Sequence, residues 1–441
     1  MAKFSLTKEN PFKMVVGKIC NFTKSKSKFK TVFDFAVFGL FGILFFSIPA
    51  CSFSDTLYKI TWVISILLIV LMLADITIFG TFKIDIVFIS LSFFCFSFLI
   101  SSLLNGIKNF SYTYPLLTIF ILIVYIYCKS NNKNMKPLIY SAYVGCLGFL
   151  ILFIFKYRNE LIGLVIGLDF DRLGGLFGDE NDVAIFNSIG FCLSFYFLFF
   201  NSNIFVKIFA FIMTGLFLFV SISSGSKIII FIVGVLLVYS VFTFNKKTKW
   251  WLSLVELALL AGLFILFLNL PFAQEMKKRF LSMLNMFTTE QIKGADFNDY
   301  STINRTNMFI NAITMFFRKP LFGWGPRGFA IHSGYSNSWS HNHLSEMLCN
   351  TGLFGFVSYH LPFVLCFYYY FKNNKRDSRL AFMLLLLFTT AGISIVLTSE
   401  KLFAFIIGVV YSIFIDLKPI FEIDIKKRFN KETSIQKQET N

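Results

Sequence analysis

The sequence predicts an all-α polytopic membrane protein of about twelve transmembrane helices, with a long extracytoplasmic loop before the tenth. Of its 441 residues, 56% are hydrophobic, 62 are phenylalanine and only 15% are charged, whereas soluble domains carry roughly 25% charged residues. Apolar runs of about 20 residues recur along the chain, and each is long enough to cross a hydrocarbon core of roughly 30 Å. Lysines lie in short blocks between these runs, which is the pattern that orients membrane proteins.

The apolar runs divide the chain into tails, spans and one long loop. A basic tail (1–32) precedes spans one to nine (33–270), and the loop (271–344) precedes spans ten to twelve (345–417) and a second basic tail (418–441). The individual spans are predicted at 33–50, 57–78, 83–104, 114–128, 137–155, 183–200, 204–222, 227–244, 250–270, 345–371, 380–397 and 402–417.

The basic residues predict the orientation of these spans. An even number of spans places both tails on one side of the membrane, and both tails are basic. The short connections on that side are basic as well, at 129–136, 246–249 and 372–379, whereas 51–56, 105–113 and 398–401 on the other side carry few positive charges. Because basic loops stay in the cytoplasm, both termini are predicted to be cytoplasmic.

Two features of the composition exclude other classes of protein. The net charge of +17 is of the size found in nucleic-acid-binding proteins. However, the charges lie between apolar runs and form no basic stripe among exposed aromatic residues, so no nucleic-acid partner is expected. The eight cysteines mostly lie singly inside apolar runs, without C-x-x-C spacing. They are interpreted as small packing residues rather than as metal ligands or disulfide partners.

The loop at 271–344 is too long for a plain connector. Apolar residues recur with helical spacing between Arg305 and Phe317, which predicts an amphipathic helix lying along the membrane surface. They are Met308, Phe309, Ala312, Ile313 and Phe316. Pro320 is expected to end this helix, and Gly323-Trp324-Gly325-Pro326 to form a turn before His341.

Three cations and a histidine lie at the outward edges of separate spans: Arg172, Lys227, Arg305 and His341. Singly, each cation is more often an anchor at the membrane surface, and Ser340 and Asn342 are equally well explained as helix caps beside wetted histidines. Together they suit an anionic substrate in the membrane, since arginine binds phosphate bidentately and lysine supplies a point charge. The pattern predicts a lipid with a phosphate or diphosphate headgroup at the outer leaflet.

Other chemistries have weaker support. The zinc pattern His-Glu-x-x-His and the glycine-rich nucleotide-binding loops are absent from the sequence. Asp169-x-Asp171 is a weak candidate for Mg²⁺ bound with a diphosphate, because acidic residues in loops usually form turns. The spans carry few charged residues, so the proton relays of a transporter are poorly supported.

Four stretches of the outward segments follow one another in a recognisable order. Arg172–Ala184 contains Arg-Leu-Gly-Gly and Asn181-Asp-Val-Ala, and Ser224-Gly-Ser-Lys227 opens a span. Arg305 is followed by Pro-Leu-Phe-Gly-Trp-Gly-Pro at 320–326, and His341-Asn342 by Gly-Leu-Phe-Gly at 352–355. The order resembles the O-antigen polymerase and ligase superfamily, which comprises Wzy-type polymerases and the lipid A–core ligase. Lys227 stands where that superfamily usually has arginine, so a bidentate contact would come from Arg172 or Arg327 instead.

The resemblance implies a membrane glycosyltransferase in the bacterial cytoplasmic (inner) membrane. The donor would be an oligosaccharide on undecaprenyl diphosphate, and the acceptor the end sugar of another repeat unit in a polymerase of O-antigen, capsule or exopolysaccharide, or a lipid A core in a ligase. A flippase and a chain-length regulator are the protein partners that the resemblance suggests. Neither a nucleotide sugar nor a metal or other cofactor is required. A transporter or flippase of lipid-linked sugars is the alternative from another class.

The resemblance also suggests a role for each outward polar residue. His341 is the expected general base on the acceptor hydroxyl, and Arg305 is the expected catalytic cation that stabilises the leaving diphosphate. Asn342 and Glu346 would orient His341 or a sugar hydroxyl. The further substrate-binding candidates are Arg172, Lys227, Arg327 and Asn181.

Overall fold

The computed structural model describes residues 28–79, 82–106, 113–130, 136–166, 173, 180–244, 297–335, 338–373, 376–414 and 420–423, with isolated positions between 255 and 281. In this part of the chain nearly all regular structure is helical. The helices are α1 (Lys28–Ala50), α2 (Asp55–Phe79), α3 (Ile86–Leu104), α4 (Thr113–Ser130), α5 (Lys136–Lys156), α6 (Arg158–Val165), α7 (Glu180–Phe200), α8 (Ile204–Ser223), α9 (Ile228–Phe244), α10 (Phe297–Arg318), α11 (Gly328–His332), α12 (His343–Asn373), α13 (Arg376–Ala391) and α14 (Lys401–Phe414). Two short strands, β1 (Phe82–Ile84) and β2 (Phe421–Ile423), pair antiparallel.

Eight of the described helices, α1 to α5, α7, α8 and α12, are long and apolar enough to cross a membrane. The apolar helices α9, α13 and α14 are shorter. The protein is therefore an all-α integral membrane protein. Every predicted span except the ninth falls on one of these helices, and the ninth, 250–270, lies largely outside the described residues.

The predicted surface helix is present as α10, which extends beyond the periodic segment to Phe297–Arg318. It buries Met308, Ala312 and Met315 against Phe329 and Cys349. Phe309, which the periodicity assigned to the apolar face, is 41% exposed. The buried stripe is therefore rotated slightly from the one predicted, and Pro320 follows the end of the helix as expected.

Helix α12 differs from the single span predicted at 345–371. Gly352 has a non-helical backbone (φ 64°, ψ −168°), and the rings of His343 and His360 lie 5.1 Å apart on either side of it. A straight helix would separate these residues by roughly 25 Å at about 1.5 Å per residue. The chain therefore folds back on itself at Gly352, and the part that follows is the membrane-crossing arm.

The turn at 320–325 satisfies the backbone groups that this reversal leaves open. Before Gly352, the carbonyls of Cys349 and Asn350 accept hydrogen bonds from Trp324 N (2.9 Å) and Gly325 N (3.0 Å). After it, Leu353 N donates to Pro320 O at 2.7 Å. Helix ends that are buried need partners of this kind. The Pro-Leu-Phe-Gly-Trp-Gly stretch therefore supplies hydrogen-bond partners to the end of the first arm and to the start of the second.

The helix ends form two groups at opposite ends of the bundle. At one end, Lys156 Nζ lies 4.5 Å from the Phe53 ring centroid, and Cys51, Asp182 and Ser399 line one cavity. At the other end, Lys83 of β1 pairs with Glu422 of β2. We call the first group the site end, because the residues described next lie there.

Helices α13 and α14 meet at the site end. Helix α13 ends at Ala391 and α14 begins at Lys401. The connection between them, Gly392–Glu400, contains a short 3-10 turn at Leu397–Ser399.

Candidate functional site

The connection after α13 brings together two segments that are far apart in sequence. Arg305 Nη1 donates to Ser394 Oγ at 3.0 Å, and His343 N donates to Gly392 O at 2.7 Å. Asn342 Nδ2 donates to Ile393 O at 3.4 Å. Arg305 and the tripeptide His341–His343 thus lie on one short stretch of backbone, Gly392–Ser394.

Sequence reasoning missed Gly392–Ser394 because this stretch lay inside the predicted span 380–397. In the structure α13 ends at Ala391, and the predicted boundary is wrong by about six residues, a common size of error for element edges. The one available signal was Gly392 itself, since glycine is enriched just after helix C-termini.

His341 has a left-handed backbone. Its φ is +53° and that of Arg327 is +56°, and among the described residues these are the non-glycine positions with positive φ. Such a conformation costs an L-residue roughly 1–2 kcal/mol, and outliers of this kind concentrate at functional sites. Both residues were singled out from the sequence as candidates.

Asn342 acts as a helix cap, the role that the simpler interpretation assigned to it. Its Oδ1 accepts a hydrogen bond from Ser345 N at 3.0 Å, at the start of α12, while its Nδ2 contacts the Ile393 carbonyl. Both ends of the amide are therefore bonded within the protein, and the side chain fixes the start of α12 against the Gly392–Ser394 connection.

Glu346 is fully buried, and both of its carboxylate oxygens accept hydrogen bonds. Oε2 accepts from Ser340 N at 2.7 Å, and Oε1 accepts from Asn350 Nδ2 at 2.8 Å. Asn350 in turn accepts from Phe329 N on its Oδ1 at 2.9 Å. Asn350 was not a candidate in the sequence; the available signal was a polar amide within an apolar run, which needs partners when buried.

Lys227 and Asn181 lie at a second turn of the site end. Ser226 Oγ donates to Asn181 Oδ1 at 2.6 Å, and Gly225 takes a positive φ of 63° in the tight turn between α8 and α9. Leu173 N donates to Ser223 O at 3.1 Å in the same turn. Arg172, the residue before Leu173, lies outside the described residues.

A cavity of about 180 Å³ lies at the site end. Asp182, which follows Asn181, and Ile395, which follows Ser394, both line it, whereas Arg305, Lys227 and His341 do not. Its polar lining residues are Asp182, Ser399, Glu400 and Lys401, and its walls are otherwise apolar, with Phe186, Phe388 and Phe403 among them. The Nζ of Lys401 lies 4.2 Å from the ring centroids of Tyr58 and Trp62.

A family model matches part of the chain. Residues 208–360 match the family model described as O-antigen ligase (Wzy_C). The resemblance to the O-antigen polymerase and ligase superfamily is confirmed. Members of this superfamily are membrane glycosyltransferase-like enzymes of the polymerase or ligase type. The chain matches none of the curated proteins.

The region matched by the superfamily covers only part of the site. It includes Lys227, Arg305, Arg327 and His341. Asn181 and the Gly392–Ser394 connection lie outside it, although the contacts above join them to the matched residues. The described residues contain no group of three or more His, Cys, Asp or Glu side chains that could hold a metal, and the Asp169–Asp171 pair lies outside the described residues.

Proposed function

We propose that this protein is a polysaccharide polymerase that transfers undecaprenyl-diphosphate-linked repeat units onto a growing glycan at the outer face of the cytoplasmic membrane. The observation that carries the proposal is that Arg305 and the His341–His343 tripeptide lie on the same connection, Gly392–Ser394. That connection lies beside a largely apolar cavity. A lipid with an anionic headgroup suits such a site, because its chain needs apolar walls and its diphosphate needs cations.

The proposed reaction is one nucleophilic displacement at the anomeric carbon of the donor. The acceptor hydroxyl oxygen forms the new bond to that carbon, and the bond from carbon to diphosphate breaks. His341 takes the hydroxyl proton, and the lipid diphosphate leaves with the electron pair. General base catalysis of this kind contributes roughly 100- to 10,000-fold in rate.

The cations of the site stabilise the charge that develops on the diphosphate. In this proposal Arg305 does so from the Gly392–Ser394 side, and Lys227 does so from the Asn181 side of the cavity. Lysine keeps the charge of the usual arginine but lacks its planar fork. Arg172 and Arg327 remain the proposed sources of a bidentate contact.

The site end is proposed to face outward, with both tails and the β1–β2 end in the cytoplasm. The basic connections support this orientation. In the same proposal the residues from 271 to 344 form the extracytoplasmic loop, of which α10 and α11 are the described helices.

A ligase that transfers finished glycan to a lipid A core is the second candidate. The description of the matching family favours it, whereas the more numerous and varied polymerases that share these motifs favour polymerisation. The two differ only in the acceptor, and an experiment on the product separates them.

The deciding experiment is glycan length on a gel, from cells that lack this gene and carry wild type, Arg305→Ala or His341→Ala. A polymerase built on these residues gives a ladder with wild type and a single repeat unit on the final carrier with either variant. A polymer that accumulates on undecaprenyl diphosphate and never reaches its carrier would identify a ligase. An unchanged ladder in all strains would favour the alternative function, a transporter or flippase of lipid-linked sugars.

A further inference from the structure

Two buried side chains connect the turn that carries His341 to the turn that carries Arg327. The Glu346 carboxylate accepts from the backbone N–H of Ser340, directly before His341. Asn350, which donates to the same carboxylate, accepts from the backbone N–H of Phe329, two residues after Arg327. We call the pair Glu346 and Asn350 the clasp.

The clasp holds two turns whose backbones are strained. His341 and Arg327 both have left-handed φ values, and such residues keep this conformation only where the surrounding structure fixes it. A buried carboxyl group that accepts on both oxygens links the two turns through one side chain and its amide neighbour. The two turns belong to different segments of the chain, and the hydrogen bonds of Glu346 and Asn350 connect them.

Neither side chain of the clasp is accessible to a sugar. Glu346 is 0% and Asn350 1% exposed. Both carboxylate oxygens of Glu346 are already occupied, and both ends of the Asn350 amide are bonded within the protein. Contact with substrate would require these bonds to break.

We propose that Glu346 and Asn350 are positioning residues, which set His341 and Arg327 at a fixed spacing for glycosyl transfer. The proposal rests on the proposed function. It assigns to Glu346 the role of holding His341 in place rather than of contacting a sugar hydroxyl. It also adds Asn350 and the Phe329 backbone N–H to the groups that position the catalytic residues.

The order of donors and acceptors in the clasp suggests a sharp test. In Glu346→Gln the new amide oxygen can accept from Ser340 N–H, but its NH₂ group then faces the NH₂ of Asn350. In Asn350→Asp two carboxylates face each other. In the double variant Glu346→Gln/Asn350→Asp, the Gln oxygen accepts from Ser340 and its NH₂ donates to the new carboxylate, which still accepts from Phe329 N–H. Every hydrogen bond and the net charge are restored.

The experiment measures kcat and KM of the purified full-length protein in lipid nanodiscs, with an undecaprenyl-diphosphate-linked oligosaccharide as donor. Each single variant is expected to lower kcat by about 10- to 100-fold, since misplacement of a catalytic group by about 1 Å can cost that much. The KM for the donor is expected to change much less than kcat, because the clasp itself does not touch substrate and the other proposed cations still contact the diphosphate. The double variant is expected to recover kcat to within about threefold of wild type.

Three outcomes would contradict the proposed role of the clasp. The single variants could have the kcat of wild type, or the folded double variant could be as slow as the single variants. The third such outcome is a change in KM with no change in kcat. Thermal unfolding of each variant identifies a single variant that fails to fold, and the folded double variant then decides the question. His341→Ala in the same assay separates the two proposals: equal rates for it and wild type would remove the proposed function, whereas an inactive His341→Ala beside fully active single variants would remove only the clasp.

Discussion

Gly352 and Gly323 lie in direct backbone contact at the reversal of α12. A Cβ added to Gly352 would come within 2.6 Å of Gly323 N, and one added to Gly323 would come within 2.6 Å of Cys349 O. Both residues also have positive φ values, 64° and 68°. The reversal therefore depends on two glycines from different motifs, and it places His343, at the start of the first arm, beside His360 in the membrane-crossing arm.

Replacing Gly352 with alanine should destabilise the protein. The added methyl group meets the 321–323 backbone, and a left-handed alanine adds strain, so we expect a loss of about 2 kcal/mol or more. The measurement is thermal unfolding in detergent. Gly215→Ala is the matched control, because a Cβ there has nothing within 4 Å, and it should leave the unfolding temperature unchanged or raise it, since alanine is the better helix former. Equal stability of the two variants would contradict the account of the reversal.

His341 and His343 should respond in opposite ways to substitution. His341→Asn removes the base but keeps a residue that tolerates a left-handed backbone, so we expect transfer to slow by roughly 100- to 10,000-fold with the fold intact. Rates of glycan transfer by purified protein test this. A His341→Asn enzyme with normal turnover would exclude His341 as the base.

His343 provides the matched comparison for that experiment. It is buried, and within the described part of the chain neither ring nitrogen has a hydrogen-bond partner. His343→Leu removes a buried polar group that no bond compensates, so we expect full activity and stability equal to wild type or higher by about 1 kcal/mol. Loss of activity in a stable His343→Leu protein would show that the buried imidazole itself takes part in the reaction.

Lys227 should act through its charge. Lys227→Arg keeps the charge and adds the fork, so we expect activity equal to wild type or higher. Lys227→Ala should raise the KM for the lipid-linked donor by about tenfold or more, because an ion contact to phosphate is lost. Lys207→Ala, in the first turn of α8 at the opposite end, is the control and should have no effect. Equal KM values for Lys227→Ala and wild type would exclude a donor contact at this position.

The sequence predicted the membrane-spanning helices because hydropathy depends only on local composition. It did not reveal the reversal at Gly352, since the 320–325 turn that bonds to both sides of that glycine is remote in sequence. Ser394 was hidden for a similar reason: apolar residues continue past Ala391, although the helix does not. His341, Arg305 and Arg327 could be selected from motif order. The positioning role of Glu346 and Asn350 could not be predicted, because it depends on hydrogen bonds to Ser340 and Phe329, which lie in other turns.

The described contacts bear on the ninth span, which the sequence predicts at 250–270. Helix α9 starts at the site end, next to the Ser226–Asn181 bond. Near its other end, Tyr239 bonds to Tyr370, late in the crossing arm of α12. The chain therefore leaves α9 at the β1–β2 end, yet Arg305 contacts Ser394 at the site end. A ninth span at 250–270, which remains a prediction, would return the chain to the site end.

Pairing of β1 with β2 bears on the same prediction. Phe82 pairs with Ile423, so both strands lie at one end of the bundle, and a ninth span would make the number of crossings between them even. Truncated proteins fused to green fluorescent protein or alkaline phosphatase after Lys247 and after Asp296 test the prediction. We expect fluorescence after Lys247 and phosphatase activity after Asp296, with fluorescence after Asn441 as the control. Fusions after Lys247 and Asp296 that report the same side would rule out the crossing, and α9 or α10 would then have to lie differently in the membrane.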